Sequence, residues 1–132
     1  MKITRNASSP SMTGQIPINF SGTVRIDNMA QPNAPGRAST AVVTFASGAR
    51  TVWHTHPAGQ TIVITAGKGW VQREGEPRED VGPGDTVFFD AGERHWHGAT
   101  ATTGMSHIAI TEAVDGKNVD WLEPVTDDQY AS

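Results

Sequence analysis

The apolar residues of this chain arrive in short runs, each closed by a turn. Stretches rich in Val, Ile, Thr, Phe and Trp occupy Phe20 to Ile26, Thr40 to Phe45, Thr51 to His56, Thr61 to Thr65, Gly69 to Arg73, Thr86 to Phe89, His95 to Ala99 and Met105 to Thr111. Between them stand Pro32-Asn33-Ala34-Pro35-Gly36, Ala46-Ser47-Gly48, Ala66-Gly67-Lys68-Gly69, Gly82-Pro83-Gly84-Asp85 and Asp115-Gly116-Lys117, all with turn chemistry. Many short strands at close spacing predict an all-β closed barrel or jelly roll rather than a helical or α/β fold. The 14 Gly and 8 Pro residues are spread as punctuation; gathered in one tract they would signal disorder. Helix is expected only near the end, where Thr126-Asp127-Asp128-Gln129 has the form of a capping box.

A chain of 132 residues fits one domain. Residues 1–17 are polar and are expected to form a surface arm, with the barrel domain spanning 18–132. Net charge is −4 and the ten Lys and Arg residues are scattered, which speaks against nucleic acid or an anionic membrane as partner. The absence of cysteine excludes disulfides, thiolate metal sites and a cysteine nucleophile. The start lacks the apolar core of a secretory signal and no apolar run is long enough to span a bilayer, so a soluble cytoplasmic protein is expected.

Four of the five histidines fall in two His-X-His pairs, His54/His56 and His95/His97, and both pairs lie in strand-like runs. Residues two apart in a strand share a face, so each pair projects two imidazoles one way and sends Trp53, Trp96 and Gly98 the other. A single such pair is commonly a solvated strand feature. Two pairs converging inside a barrel would bring three or four ring nitrogens to one point, an arrangement suited to a first-row divalent metal.

The residues around these pairs resemble the cupin family. Gly48, five residues, His54-Thr55-His56, three residues, Gln60, six residues and Gly67 follow its first motif; Gly84, five residues, Asp90-Ala91-Gly92, two residues, His95, three residues and Ala99 follow its second. The resemblance implies a single-domain jelly-roll β-barrel holding one divalent metal ion per chain through His54, His56, Gln60 and His95. Three positions depart from the pattern: Gln60 stands for Glu, Asp90 for Pro and Ala99 for Asn. Of these three, only Gln60 is expected to touch the metal; its alternative is a non-ligating remnant, since amide oxygens are weaker ligands than carboxylates. Three neutral imidazoles and a neutral amide leave the ion its full charge, so the set should bind metal less tightly yet attract an incoming oxygen more strongly than one with Glu. The ligands accept Mn, Fe, Co, Ni, Cu or Zn.

A narrower likeness covers most of the chain from Phe20 onward. Phe20 to Asp27, Gly48 to Thr61, Gly69 to Gly75, Gly92 to Ala99 and Asp115 to Thr126 are similar to the small bacterial manganese-dependent hydroxynitrile lyases of cupin fold. This implies manganese as the ion, and cleavage of a cyanohydrin into an aldehyde and hydrogen cyanide together with the reverse addition. The metal would act as Lewis acid, and histidine, titrating near neutrality, would move the proton. His107 and His97 lie outside the ligand set. In Met105 to Thr111, Ile108 and Ile110 share one face, leaving His107, Ala109 and Thr111 on the other; the resemblance places His107 beside the substrate. His97 follows His95 on its face and suits a group behind the ligands, an acid for the departing cyanide, a fifth ligand, or a barrel-mouth histidine bonded to water. Ala41 and Val43 alternate on their strand and are expected to line the pocket with Thr111 opposite, giving it an apolar size suited to an aromatic aldehyde. Asp85 and Asp90 fit turn and capping roles.

The same ligands would equally serve a cupin dioxygenase holding iron, nickel or copper, or a protein that binds a small molecule through its metal without turning it over. A homodimer or homotetramer is expected by resemblance, with Trp53, Trp70 and Trp121 as candidates for interface or inter-sheet packing.

Overall fold

The computed structural model describes residues 1–13 and 19–132 of the chain, so the expected boundary between residues 17 and 18 lies outside the described residues. Its strands are β1 (Met12–Thr13), β2 (Phe20–Ser21), β3 (Val24–Ala30), β4 (Ala38–Phe45), β5 (Arg50–Thr51), β6 (His54–Thr55), β7 (Gln60–Gly67), β8 (Gly69–Arg73), β9 (Glu79–Val81), β10 (Thr86–Phe89), β11 (His95–Ala99), β12 (Met105–Glu112) and β13 (Asp120–Trp121), followed by one short helix, α1 (Asp127–Ala131). All strand pairs are antiparallel. One sheet runs β1-β3-β4-β12-β7-β10; the other runs β13-β6-β11-β5-β2, with β8 on the far side of β11 and β9 beyond it. This is the all-β jelly roll that the short runs predict.

Two predicted strands are interrupted. The run from Phe20 breaks at Gly22, which has φ +82° and whose Cβ, if it had one, would lie 2.9 Å from Ala49 Cα. Only glycine fits both the left-handed backbone and that close approach. The run from Thr51 to His56 divides into β5 and β6 because two intervening residues bond elsewhere. Val52 N–H donates to the Asn19 carbonyl at 3.0 Å, and Trp53 N–H to the Glu123 carbonyl at 2.9 Å. Within the stretch expected as an arm, Met12 and Thr13 pair with Ile26 and Arg25 and so form a sheet edge.

Alternation along β4, β12 and β7 divides the sheet into two faces. Val43, His107 and Ile64 form one inward row and Ala41, Ala109 and Ile62 the next, as the register requires. The inward residues pack with Val24, Phe45, Val71, Phe89 and Met105 into the main core. Burying each large aliphatic or Phe side chain contributes about 1.5–3 kcal/mol.

A second cluster holds the C-terminus. Trp53, Trp96, Val125 and Tyr130 are buried together, with Trp70 packed against them. Thr126 caps α1, and its side chain and that of Gln129 exchange the reciprocal bonds of a capping box, as expected from the sequence. Arg50, almost wholly buried, donates to the Val125 carbonyl and to Asp127, each at 2.9 Å, and lies over the Tyr130 ring. Asp85 accepts from Gly82 N–H at 2.8 Å, and the Asp90 carbonyl accepts from Glu93 N–H at 3.0 Å, both being turn contacts. Among the described residues no helix is long and apolar enough to cross a membrane.

Candidate metal centre

Separate pieces of the barrel deliver the five histidines to one place. β11 pairs with β6 at His95 and His54, which brings those rings to 4.2 Å between centroids. His97 lies two residues further along the same face, while Trp53 and Trp96 point into the second cluster, as a two-residue period demands. His56 follows β6 rather than lying within it. Its carbonyl accepts from Gly59 N–H at 3.2 Å and Gly92 N–H at 2.9 Å, so a turn fixes its direction. Its ring lies 5.0 Å from His54 and 5.5 Å from His95. Gln60 opens β7 and faces Thr111 of β12. His107 enters from β12 beside a register irregularity between Ser106 and His107, and β-bulges commonly re-aim side chains near sites.

All five imidazoles are buried, none more than 4% exposed. His54, His95 and His97 offer ring nitrogens all within 4.8 Å of one another; this is a buried three-histidine site that could hold a metal ion. His56 lies beside His54 and His95 but outside that grouping. His54 Nδ1 is 2.9 Å from the Val52 carbonyl, His56 Nδ1 2.6 Å from the Asn118 carbonyl and His95 Nδ1 2.8 Å from the Glu93 carbonyl. A carbonyl only accepts, so each Nδ1 carries the proton and each Nε2 presents a lone pair, the arrangement of metal-binding histidine. His97 differs, its Nδ1 meeting His107 Nε2 at 3.2 Å.

The inward nitrogens and one amide oxygen are left over. His56 Nε2, His95 Nε2, Gln60 Oε1, His97 Nε2 and His107 Nδ1 are buried without a hydrogen-bond partner among the described residues. Buried polar atoms are ordinarily satisfied, so such a cluster of them in one part of the interior fits a divalent ion and a polar ligand. Burial also drives every imidazole towards its neutral form. It pushes His95 down to about 3 and His107 to about 4. It lowers His54 well below the ordinary range, with His95 adding to the effect, and does the same to His97, aided by His107. His56 is lowered by burial as well. Neutral imidazole is the form a metal needs.

Beside these groups opens a cavity of about 250 Å³, lined by His54, His56, Gln60, His97 and His107 together with Ala41, Val43 and Thr111. Phe20, Ile26, Ala109 and Val119 complete an apolar wall. His95 lies behind this lining, stacked on Phe89 with centroids 3.7 Å apart.

Several neighbours carry no signal that sequence reasoning could have used. The Val52, Glu93 and Asn118 carbonyls orient three rings, and any residue type supplies a carbonyl. Thr51 accepts the His97 N–H at 3.2 Å where the split between β5 and β6 leaves the ladder incomplete. Trp121, a packing candidate in the sequence, lies on His54 at 5.0 Å through a tail strand seen only in the fold.

A jelly roll carrying paired histidines from two glycine-bounded motifs defines a cupin, and the chain belongs to the cupin family: residues 41–111 match the cupin domain. The chain is 56% identical over 130 residues to an (R)-mandelonitrile lyase of Granulicella tundricola, covering 98% of each protein. Among solved structures it is similar to a cupin-like protein of Thermotoga maritima (TM-score 0.82, 33% identity, 98% of this chain and 95% of that one). It also resembles a polyketide cyclase of Streptomyces resistomycificus in fold (TM-score 0.71, 18% identity, 98% and 90% covered).

Proposed function

We propose that this protein is a metal-dependent hydroxynitrile lyase, cleaving a cyanohydrin into an aldehyde and hydrogen cyanide and catalysing the reverse addition. The observation that carries this is the 56% identity, over nearly the whole of both chains, to a protein named as a mandelonitrile lyase. The site's chemistry supports it. His54, His56 and His95 through Nε2, and Gln60 through Oε1, are the proposed ligands, because their other polar atoms are already engaged. When bound, a divalent ion, manganese by resemblance, supplies Lewis acidity that lowers the cost of negative charge on the substrate's hydroxyl oxygen.

The protein's own groups do the rest. The apolar wall holds the organic portion of the cyanohydrin and excludes water from the reacting carbon. His97 and His107 form a neutral pair whose outer nitrogens, His97 Nε2 and His107 Nδ1, are unengaged. One outer nitrogen accepts the hydroxyl proton while the carbon–carbon bond breaks and its electron pair leaves on cyanide. The proton passes along the 3.2 Å contact, and cyanide receives one from the other outer nitrogen. Proton and electron counts balance without a further reactant. A homo-oligomer forms part of the proposal: Val42, Val63, Ile108, Ile110 and the 60% exposed Phe88 lie on the outward sheet face and offer apolar surface.

The test is cyanide release from mandelonitrile, measured beside the metal content of the purified protein. Substitution H107A should leave metal content intact and slow cleavage by about 10²-fold or more, the range for removing a general acid–base group. Full activity in H107A refutes the proton-transfer role. Absence of turnover in the wild type at every metal loading refutes the lyase.

A further inference from the structure

The side-chain amide of Gln60 has two ends of nearly the same shape and opposite chemistry. Oxygen can bind a cation, whereas the NH₂ group can only donate. Which end faces the imidazoles is decided by the partner at the other end. That partner is Thr111, whose Oγ1 lies 3.1 Å from Gln60 Nε2 in a buried contact. The two residues sit directly opposite each other in the β7–β12 register, so the pairing is built into the sheet. Thr111 is itself fixed, 7% exposed, with its carbonyl accepting from the Ser39 hydroxyl of β4 at 3.1 Å. Gln60 Oε1 is left buried and unpartnered.

We propose that Thr111 is a positioning residue for the metal site: its hydroxyl accepts the Gln60 N–H and so holds the amide with its oxygen towards the imidazoles. This rests on Gln60 being a ligand, as proposed above. A hydroxyl can also donate, and could bond a reversed amide through its oxygen. The reversed NH₂ would then face the cavity occupied by His56 and exclude the cation, so only the accepting role is compatible with metal. Without the hydroxyl, the oxygen-inward amide leaves an unpaired NH₂ in an apolar setting, and the two orientations are no longer distinguished. Thr111 would thus serve the ion through Gln60 while also lining the substrate cavity.

The experiment is a manganese titration followed by the spin-resonance signal of the free ion, applied to wild type, T111V, T111S, Q60A and the T111V/Q60A double variant. T111V keeps the shape but loses the hydroxyl and should bind manganese about tenfold more weakly, within the range seen when a group supporting a ligand is lost. T111S keeps the hydroxyl and should bind as the wild type does. In the Q60A background T111V should add nothing, since its effect runs through the amide. Wild-type affinity in T111V alongside weakened Q60A overturns the proposal and leaves the ligand assignment standing. So does an equal loss from T111V with and without Gln60, which marks a packing effect. Wild-type affinity in Q60A overturns both. If T111V does not fold, T111A compared with T111S carries the same contrast.

Discussion

At the scale of single residues, Gln60 separates this site from one completed by a carboxylate. The resemblance to the two cupin motifs implied His54, His56, Gln60 and His95 as the ligand set, and these are the ligands proposed above. Hidden in the sequence were the carbonyls that set each tautomer and the threonine that faces the glutamine, since both depend on register between distant segments. The neutrality of the donor set has a measurable consequence. Q60E would add a negative charge beside a buried divalent ion and should tighten metal binding. A gain of only about 1.4 kcal/mol is a tenfold lower dissociation constant. The same charge weakens the ion's pull on substrate oxygen, so mandelonitrile cleavage per bound metal should fall about tenfold or more, by the same arithmetic applied to the barrier. Metal titration and cyanide release, measured on the same samples, check both halves. Tighter metal with undiminished turnover would show that the neutral amide is not needed for catalysis.

At the scale of elements, the strands were legible wherever apolar alternation and a turn coincided, which covers β4, β7, β8, β10, β11 and β12. Where the prediction and the fold part, the cause is a partner remote in sequence. Val52 and Trp53 leave the ladder for Asn19 and Glu123, and β13 exists only because the tail returns to pair with β6. His107 could be assigned a face from Ile108 and Ile110, but its contact with His97 required the two sheets to be assembled. The sheet that carries His97 has a close backbone approach at Gly98, beside His97 on β11. An added Cβ would meet the Ala49 carbonyl at 2.4 Å and Arg50 Cα at 2.6 Å, both backbone, so neither can rotate away. G98A should therefore force β5 from β11 at a cost of about 3 kcal/mol, the upper end for overpacking. For a domain of this size that lowers Tm by roughly 10 °C. Because β5 leads into β6, His54 moves with it, and metal affinity should drop as well. A thermal melt and a metal titration test the pair of effects; a variant with unchanged Tm would mean the strands can part without strain.

At the scale of the whole molecule, five imidazoles held neutral in one interior make the metal-free fold sensitive to acid. Burial lowers the pKa of each, to about 3 for His95 and about 4 for His107, whereas in the unfolded chain all return to about 6.5. Above that value both states are neutral and stability does not depend on these groups. As pH falls below it, the unfolded chain takes up protons that the folded chain refuses, so stability is lost down to the folded-state pKa values. Each histidine in that condition removes about 1.4 kcal/mol per pH unit. The Tm of metal-stripped protein should thus hold steady near pH 7 to 8, decline from about pH 6, and lose its slope again as pH falls through the folded-state values, about 4 for His107. Saturating divalent metal binds the same neutral nitrogens in competition with protons, so it should raise Tm and move the decline to lower pH. Melts across this range with and without metal make the comparison. A metal-free Tm that is flat between pH 7 and pH 5 would mean that the imidazoles accept protons inside the fold, and that the interior is far more hydrated than its packing implies.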